Sequence, residues 1–128
     1  MVKKVLSTGQ CGFDQQSISS FFRKIAPEVL VIQTHTIAES LRTLSDGIYH
    51  LVLINRIFDQ TGEEGLTLLK QLKSDVKYKE VPTLLVSNLA DAQNTAVTLG
   101  ALPGFGKAEM GEQKTVQLLK GYLELAKT

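Results

Sequence analysis

The sequence predicts an α/β fold, a doubly wound sheet of five parallel strands with five helices on its two faces. Short runs rich in branched apolar residues alternate along the chain with segments whose apolar residues recur at helical spacing. No room is left for hairpins between the runs, so the strands are expected to pair in parallel through helical crossovers. The 128 residues contain no long proline, glycine or serine tract, which indicates one domain over residues 1–128.

The first predicted strand and helix are separated by a loop that contains two glycines. Val2–Ser7 is a short β-like run, and the glycines of Thr8–Gly12 suit a tight turn. Asp14 is expected to cap the first helix, which ends at Pro27. The apolar residues of this helix recur at i, i+3, i+4 and i+7, as an inward face requires: Ile18, Phe21, Phe22 and Ile25.

The next elements are a second strand, a second helix and a third strand. Glu28–Ile32 is rich in branched residues, which favour a pleated surface. Thr36–Glu39 has the form of a capping box, and the helix that it opens ends at Asp46–Gly47. Leu51–Ile54 is an apolar run typical of a strand buried on both faces, and it ends abruptly at Asn55.

The second half of the chain continues the alternation. The helix Gly65–Lys73 places leucines on its inner face, and Val81–Ser87 is a strand whose proline lies at its entrance. Ala90–Leu99 is the fourth helix, Leu102–Gly106 is a brief fifth strand, and Glu112–Ala126 is the terminal helix. Right-handed crossovers favour the flavodoxin-like strand order 2-1-3-4-5.

This strand order brings several polar residues to one end of the sheet. The first, third and fourth strands would all end around one crevice, where open α/β sheets bind ligands. The residues expected there are Gly9, Gln10, Asn55 and Ser87, joined by Lys107 after the fifth strand.

Charge, cysteine content and hydropathy exclude several classes of function. The 14 basic and 13 acidic residues give a formal charge of +1, so we predict no nucleic-acid surface. Cys11 is the single cysteine, and with no base announced beside it we expect an inert thiol in a reducing, cytoplasmic compartment. No apolar run has the length of a signal-peptide core or a membrane span, so no membrane association is expected.

Five segments, in their order and spacing, carry a family resemblance. They are KVL at Lys4–Leu6, LVLIN at Leu51–Asn55, GLTLLKQLK at Gly65–Lys73, VPTLLVS at Val81–Ser87 and GALPGFGK at Gly100–Lys107. Over nearly its full length the chain resembles a response-regulator receiver domain, the phospho-acceptor module of two-component signalling. The last two segments are the most specific, because receivers carry a hydroxyl residue at the end of the fourth strand and a lysine seven residues after a Gly-Ala pair.

The resemblance implies a phosphorylation pocket that has lost most of its parts. The position of the phospho-accepting aspartate is Asn55, and the two acids that hold Mg²⁺ in receivers fall on Gly9 and Gln10. Only the hydroxyl, at Ser87, and the lysine, at Lys107, match the family.

The chemistry of these residues predicts a pocket without phosphoryl transfer. The lone pair of an amide nitrogen is delocalised into its carbonyl, so Asn55 is a poor nucleophile. Mg²⁺ usually needs one or two carboxylates, so we expect weak metal binding and no cofactor. Lys107 lacks the family's counter-charges and is expected to pair with Asp59 or Asp14, or to point into water.

Three alternatives remain open at this point. Asp59 or Asp14 could replace the missing phospho-acceptor, although a loop acid and a helix cap are the ordinary roles for these two residues. A flavodoxin-like small-ligand binder could use Ser87 and Lys107 to hold an anion. Nucleotide binding by Gly9–Gly12 has less support, because the loop lacks both G-x-G-x-x-G and the P-loop's terminal Gly-Lys-Ser/Thr.

The fifth strand departs from the receiver pattern. By resemblance, the aromatic residue that rotates on phosphorylation falls on Gly104, with Phe105 one position later and therefore on the opposite face. A bulge at Pro103–Gly104 would change this register. The family's proline after the lysine is Ala108, so we predict a trans Lys107–Ala108 bond.

The terminal helix carries the predicted partner surface. One apolar stripe is Val116, Leu119, Leu123 and Ala126, and a second is Leu118, Tyr122 and Leu125. One stripe must face the core, and we predict that the second binds a partner. By resemblance the partner is another protein, namely a histidine kinase, an effector or a second copy of the chain. The sequence thus predicts an atypical receiver that is not an enzyme and acts through protein–protein interaction.

Overall fold

The computed structural model describes residues 2–124 and contains one five-stranded sheet in the order β2-β1-β3-β4-β5. The strands are β1 (Lys4–Thr8), β2 (Leu30–Thr34), β3 (Leu51–Asn55), β4 (Thr83–Val86) and β5 (Leu102–Phe105). The helices are α1 (Gly12–Ile25), α2 (Ile37–Ser45), α3 (Gly65–Lys73), α4 (Ala90–Thr98) and α5 (Gln113–Tyr122). All four strand pairs are parallel, so the predicted fold class and strand order are confirmed.

The prediction that Asp14 caps α1 is wrong. Cys11 is the N-cap, and its Sγ accepts a hydrogen bond from the backbone N–H of Asp14 at 3.4 Å. Gly9 has a φ of 81°, which turns the chain directly after β1, so the helix begins at Gly12 and Asp14 lies in its first turn. A carboxylate in the first turn interacts favourably with the helix dipole.

Several strand ends also differ from the prediction: β1 begins at Lys4 instead of Val2, and β4 covers Thr83–Val86 instead of Val81–Ser87. The N–H of Val29 donates to the carbonyl oxygen of Ala26 at 3.0 Å, forming a turn, and β2 therefore begins at Leu30 instead of Glu28. The predicted end of the terminal helix, Ala126, lies outside the described residues.

The core consists of two apolar layers, one on each face of the sheet. The layer beneath α2, α3 and α4 contains Leu6, Leu44, Val52, Ile54, Phe58, Leu68, Leu69, Leu72, Leu85, Ala96 and Ala101. The layer beneath α1 and α5 contains Val5, Ile18, Phe22, Leu51, Leu53, Leu84, Val86, Phe105, Leu119 and Leu123. Because β3 contributes side chains to both layers, its apolar run is continuous.

The pairing of β4 with β5 contains a one-residue bulge. Leu84 pairs with Leu102 and Val86 pairs with Phe105, so three steps along β5 match two along β4. The extra residue lies at Pro103–Gly104, the position at which the sequence left a bulge open. Phe105 is 2% exposed and belongs to the layer under α1 and α5, so its side chain lies on the face of the sheet away from α4.

Candidate functional site

An open crevice of about 360 Å³ lies at the carboxyl ends of β3 and β4. It is lined by Asn55, Arg56, Ile57, Val86, Ser87, Asn88, Leu89 and Lys107. Three of the predicted site residues are therefore brought together: Asn55, Ser87 and Lys107. Gly9 and Gln10 do not line this crevice, because both are buried.

The Asn55 side chain joins two loops. Its Nδ2 donates one hydrogen bond to the carbonyl oxygen of Gly9 at 2.9 Å and another to that of Ile57 at 2.8 Å. Its Oδ1 accepts from the backbone N–H of Arg56 at 3.1 Å. Both amide hydrogens are thus used, and a carboxylate, which has no hydrogens to donate, could not make these two bonds.

A phenylalanine that the sequence analysis did not single out covers Gly9. Phe58 is 1% exposed, and a Cβ atom added to Gly9 would overlap its ring. The backbone of Phe58 is fixed by its loop, because its N–H donates to Glu63 O at 2.8 Å and its carbonyl accepts from Gly62 N at the same distance. The ring therefore fills the space in front of Gly9, where the resemblance places an acid. The only signal in the sequence was an aromatic residue in a loop longer than usual for receivers.

Gln10 contributes an uncharged side chain to the interior. The residue is 1% exposed, and neither its Nε2 nor its Oε1 has a hydrogen-bond partner within residues 2–124. Gln10 therefore brings a neutral amide, and no negative charge, to the position after Gly9.

Lys107 is paired with Asp14, one of the two acids proposed from the sequence. The Lys107 Nζ and the Asp14 Oδ2 are 2.6 Å apart, and the side chains are 32% and 23% exposed. Burial raises the pKa of Asp14, but hydrogen bonds from Lys107 and Cys11, together with the Lys107 charge, outweigh it and leave the pKa lowered. Asp59 is exposed and donates its backbone N–H to Gly9 O at 2.9 Å. The Lys107–Ala108 bond is trans, as predicted.

The hydroxyl of Ser87 serves its own loop. Its Oγ accepts from the N–H of Leu89 at 3.1 Å, and the backbone N–H of Ser87 donates to Phe105 O at 3.0 Å. Beside it, the Oδ1 of Asn88 accepts from the N–H of Ala108 at 3.2 Å. Ser87 and Asn88 thus connect the loop after β4 to β5 and to the turn that follows it.

The terminal helix buries two residues of its first apolar stripe, whereas Val116 of that stripe is half-buried and Ala126 lies outside the described residues. Leu119 and Leu123 are buried in the core, whereas Leu118 and Tyr122 are half-buried. The Tyr122 hydroxyl donates to the carbonyl oxygen of Pro103 at 2.8 Å, and burial raises the pKa of this tyrosine. The third residue of the predicted partner stripe, Leu125, lies outside the described residues.

Comparison with known proteins finds similarity in structure. No protein-family model matches the sequence, and no curated protein matches it. A putative response regulator from Chloroflexus aurantiacus J-10-fl has a TM-score of 0.84 at 17% identity, over 97% of this chain and 99% of that chain. The signal receiver domain of a DNA binding response regulator (merR) from Colwellia psychrerythraea 34H has a TM-score of 0.80 at 15% identity, over 95% of this chain and 98% of that one.

NtrX from Brucella abortus is also similar, with a TM-score of 0.80 at 16% identity over 97% of this chain. The matched part is 27% of the NtrX chain, so this chain spans about a quarter of that protein's length. These likenesses show that the chain has the fold of response-regulator receiver domains.

Proposed function

We propose that this chain is an atypical receiver domain that takes part in signal transduction by binding another protein. The observation that carries the proposal is the use of both amide hydrogens of Asn55, which donate to the carbonyl oxygens of Gly9 and Ile57. An aspartate at this strand end could attack phosphorus, whereas an amide nitrogen has no available lone pair. Asn55 therefore holds two loops together and offers no nucleophile.

The charges around the crevice support the same proposal. Gly9, Gln10 and Asn55 carry no negative charge at the three positions that the resemblance assigns to acids. The ammonium group of Lys107 is balanced by the carboxylate of Asp14 at 2.6 Å. Mg²⁺ usually needs one or two carboxylates, so we expect it to bind weakly here.

Intact-mass measurement after incubation with Mg²⁺ and acetyl phosphate tests this proposal. We expect the mass of the unmodified chain, because the crevice lacks both the nucleophile and the metal ligands. A labile adduct of one phosphoryl mass would exclude the proposal as stated. Asp59→Asn and Asp14→Asn would then identify the acceptor, because a phosphorelay that uses either acid loses the adduct when that acid is replaced.

Anion binding is the second candidate function. Ser87 and Lys107 line the same crevice of about 360 Å³, which is the observation in its favour. The Lys107 ammonium is already paired with the Asp14 carboxylate, so an anion would have to displace that carboxylate. A thermal-shift screen with phosphate, nucleotides and flavin tests this function, and a saturable rise in Tm that Lys107→Met abolishes would support it. We expect no rise.

We assign the partner surface to the exposed side of α5. Leu118 and Tyr122 are half-buried there, next to the fully buried Leu119, and leave apolar surface exposed on the helix. Light scattering on the full chain tests self-association, with Leu118→Glu as the disruptive variant and Gln117→Glu as the matched control. A dimer mass that only Leu118→Glu reduces would identify a second copy as the partner. A monomer in all three proteins would exclude a second copy and leave a kinase or an effector as the partner.

Location stays a prediction from the sequence. None of the helices within residues 2–124 is long and apolar enough to cross a membrane. We propose a cytoplasmic location from the single cysteine, Cys11, which points to a reducing compartment.

A further inference from the structure

The edge strand β5 is joined to the sheet through an interrupted ladder. The bulge at Pro103–Gly104 displaces the pairing partner of Val86 by one residue, and proline has no N–H to donate. The strand has four residues and lies at the end of the sheet order. Such an edge is held by few backbone hydrogen bonds, so contacts from outside the strands have a large effect on its position.

The side chain of Gln93, on α4, bridges the two strands at this interruption. Its Nε2 donates to the carbonyl oxygens of Leu85 at 2.9 Å and Ser87 at 3.1 Å on the β4 side, and lies 3.5 Å from the carbonyl oxygen of Phe105 on β5. Its Oε1 accepts from the backbone N–H of Gly104 on β5 at 3.2 Å. A primary amide thus takes the role of a peptide group between the strands, and it also attaches both strands to α4.

At position 104 of β5, next to Gln93, there is no space for a side chain. A Cβ atom on Gly104 would overlap the carbonyl oxygen of Leu85 and lie 2.9 Å from the Oε1 of Gln93. The aromatic residue of β5, Phe105, is 2% exposed and packs on the face of the sheet away from α4. The aromatic side chain of β5 is therefore not placed to rotate against α4.

We infer that Gln93 is an amide clamp that holds α4, β4 and β5 in a single arrangement, so that the surface between α4 and β5 does not switch. None of its bonds is made to a contact of the Asn55 side chain, and one of them reaches the carbonyl oxygen of Ser87, which lines the crevice. A partner that binds this surface would meet the same conformation at all times.

Backbone amide hydrogen exchange of the full chain tests the clamp. Gln93→Met keeps the length of the side chain but makes none of these hydrogen bonds, and Gln93→Glu keeps only the ability to accept. We expect exchange at Ser87 and Gly104 to accelerate about tenfold or more in Gln93→Met, because each lost hydrogen bond is worth about 0.5–1.5 kcal/mol. In Gln93→Glu we expect the acceleration at Ser87 alone, because a carboxylate can still accept the bond from Gly104 N–H. Asn94→Asp is the matched control, since Asn94 is the next residue of α4 and is exposed.

The pattern of change separates a clamp from a general loss of stability. The clamp predicts acceleration confined to the residues between Ser87 and Gly106, unchanged exchange in β1 and β3, and microsecond-to-millisecond relaxation dispersion that appears in Gln93→Met but not in the wild type. Equal exchange in Gln93→Met and Asn94→Asp, acceleration spread evenly over the sheet, or dispersion already present in the wild type would each overturn the inference. If Gln93→Glu does not fold, Gln93→Met alone decides.

Discussion

Asn55, at the end of β3, carries a carboxamide, which has nearly the shape of a carboxylate. The carboxamide nitrogen donates hydrogen bonds, whereas both oxygens of a carboxylate only accept them. The Nδ2 of Asn55 donates to Gly9 and Ile57 at 2.9 and 2.8 Å, and a carboxylate would turn two acceptors toward the same two carbonyl oxygens. Each hydrogen bond contributes about 0.5–1.5 kcal/mol, and a buried group left unpaired costs more. Asn55 therefore stabilises the loops around it.

Asn55→Asp is expected to destabilise the protein at pH 7 by about 1–3 kcal/mol, because two donors are lost and the carbonyl oxygens of Gly9 and Ile57 face a negative charge. The introduced acid has a raised pKa in the folded state, so the loss is complete above that pKa and shrinks as the pH falls through it. Urea unfolding at several pH values measures this. Asn94→Asp, on the exposed side of α4, is the control and should stay within about 0.5 kcal/mol of the wild type.

The Asp14–Lys107 pair predicts a second dependence of stability on pH. The folded pKa of Asp14 is lowered, so its contribution is present above the unfolded value of about 3.9 and is lost as the pH falls through the folded pKa. For a partly exposed pair we expect Asp14→Ala to cost up to about 1 kcal/mol at pH 7. Unfolding of Asp14→Ala and Lys107→Met, singly and together, at pH 7 and at acid pH measures the coupling. A cost independent of pH would show that the ion pair is not its source.

At the scale of elements, the loop between β3 and α3 supplies Arg56 and Ile57 to the lining of the crevice. Phe58 is the buried residue of this loop, and an antiparallel bridge between Ile57 and Glu64 closes the loop. The Glu63 Oε1 accepts from the N–H of Ile37 at 3.1 Å and so attaches the loop to the start of α2. The loop is thus fixed by the apolar layer on one side and by a helix N-terminus on the other.

Phe58→Ala is expected to cost about 3–5 kcal/mol, because the ring is fully buried and contributes to the layer under α2, α3 and α4. Phe13→Ala is the matched control, since Phe13 is 78% exposed at the start of α1. The urea midpoints of the two variants and the wild type measure the difference. Equal midpoints for the two variants would mean that the ring of Phe58 is not packed as described.

At the scale of the whole molecule, the sheet could be predicted because strands buried on both faces require continuous apolar runs such as Leu51–Ile54. The convergence of Asn55, Ser87 and Lys107 followed from the strand order, since the carboxyl ends of neighbouring parallel strands meet at one edge. Phe58 could not be predicted, because its burial depends on how an irregular loop folds back over Gly9, and no periodic pattern describes that path.

Choices between equivalent candidates also depended on tertiary geometry. The sequence offered Asp14 and Asp59 as partners for Lys107, and the tertiary structure places Asp14, in the first turn of α1, 2.6 Å from Lys107. The cap of α1 was misassigned because Asp is a preferred N-cap residue, whereas the early turn at Gly9 makes Cys11 the cap. These decisions rest on where loops meet, which local propensities do not encode.

The metal-binding positions of a receiver are coupled here to the core of the molecule. Phe58 belongs to the same apolar layer as Leu6 and Ile54, and its ring lies against Gly9. An acid at position 9 would therefore need a left-handed backbone conformation, which costs about 1–2 kcal/mol, and would also have to displace a core side chain. An acid at position 9 thus requires a change in the core.

This coupling predicts that Gly9→Asp is more destabilising in the wild type than in Phe58→Ala. In the first background the new Cβ overlaps the ring, and in the second only the conformational strain at a φ of 81° remains. Urea unfolding of the wild type, both single variants and the double variant gives the interaction energy, which for residues in contact is about 0.5–3 kcal/mol. Two costs that add within about 0.5 kcal/mol would show that Phe58 does not occupy the space before Gly9. A favourable interaction energy would identify the ring as the group that keeps an acid, and with it a metal ion, out of this end of the sheet.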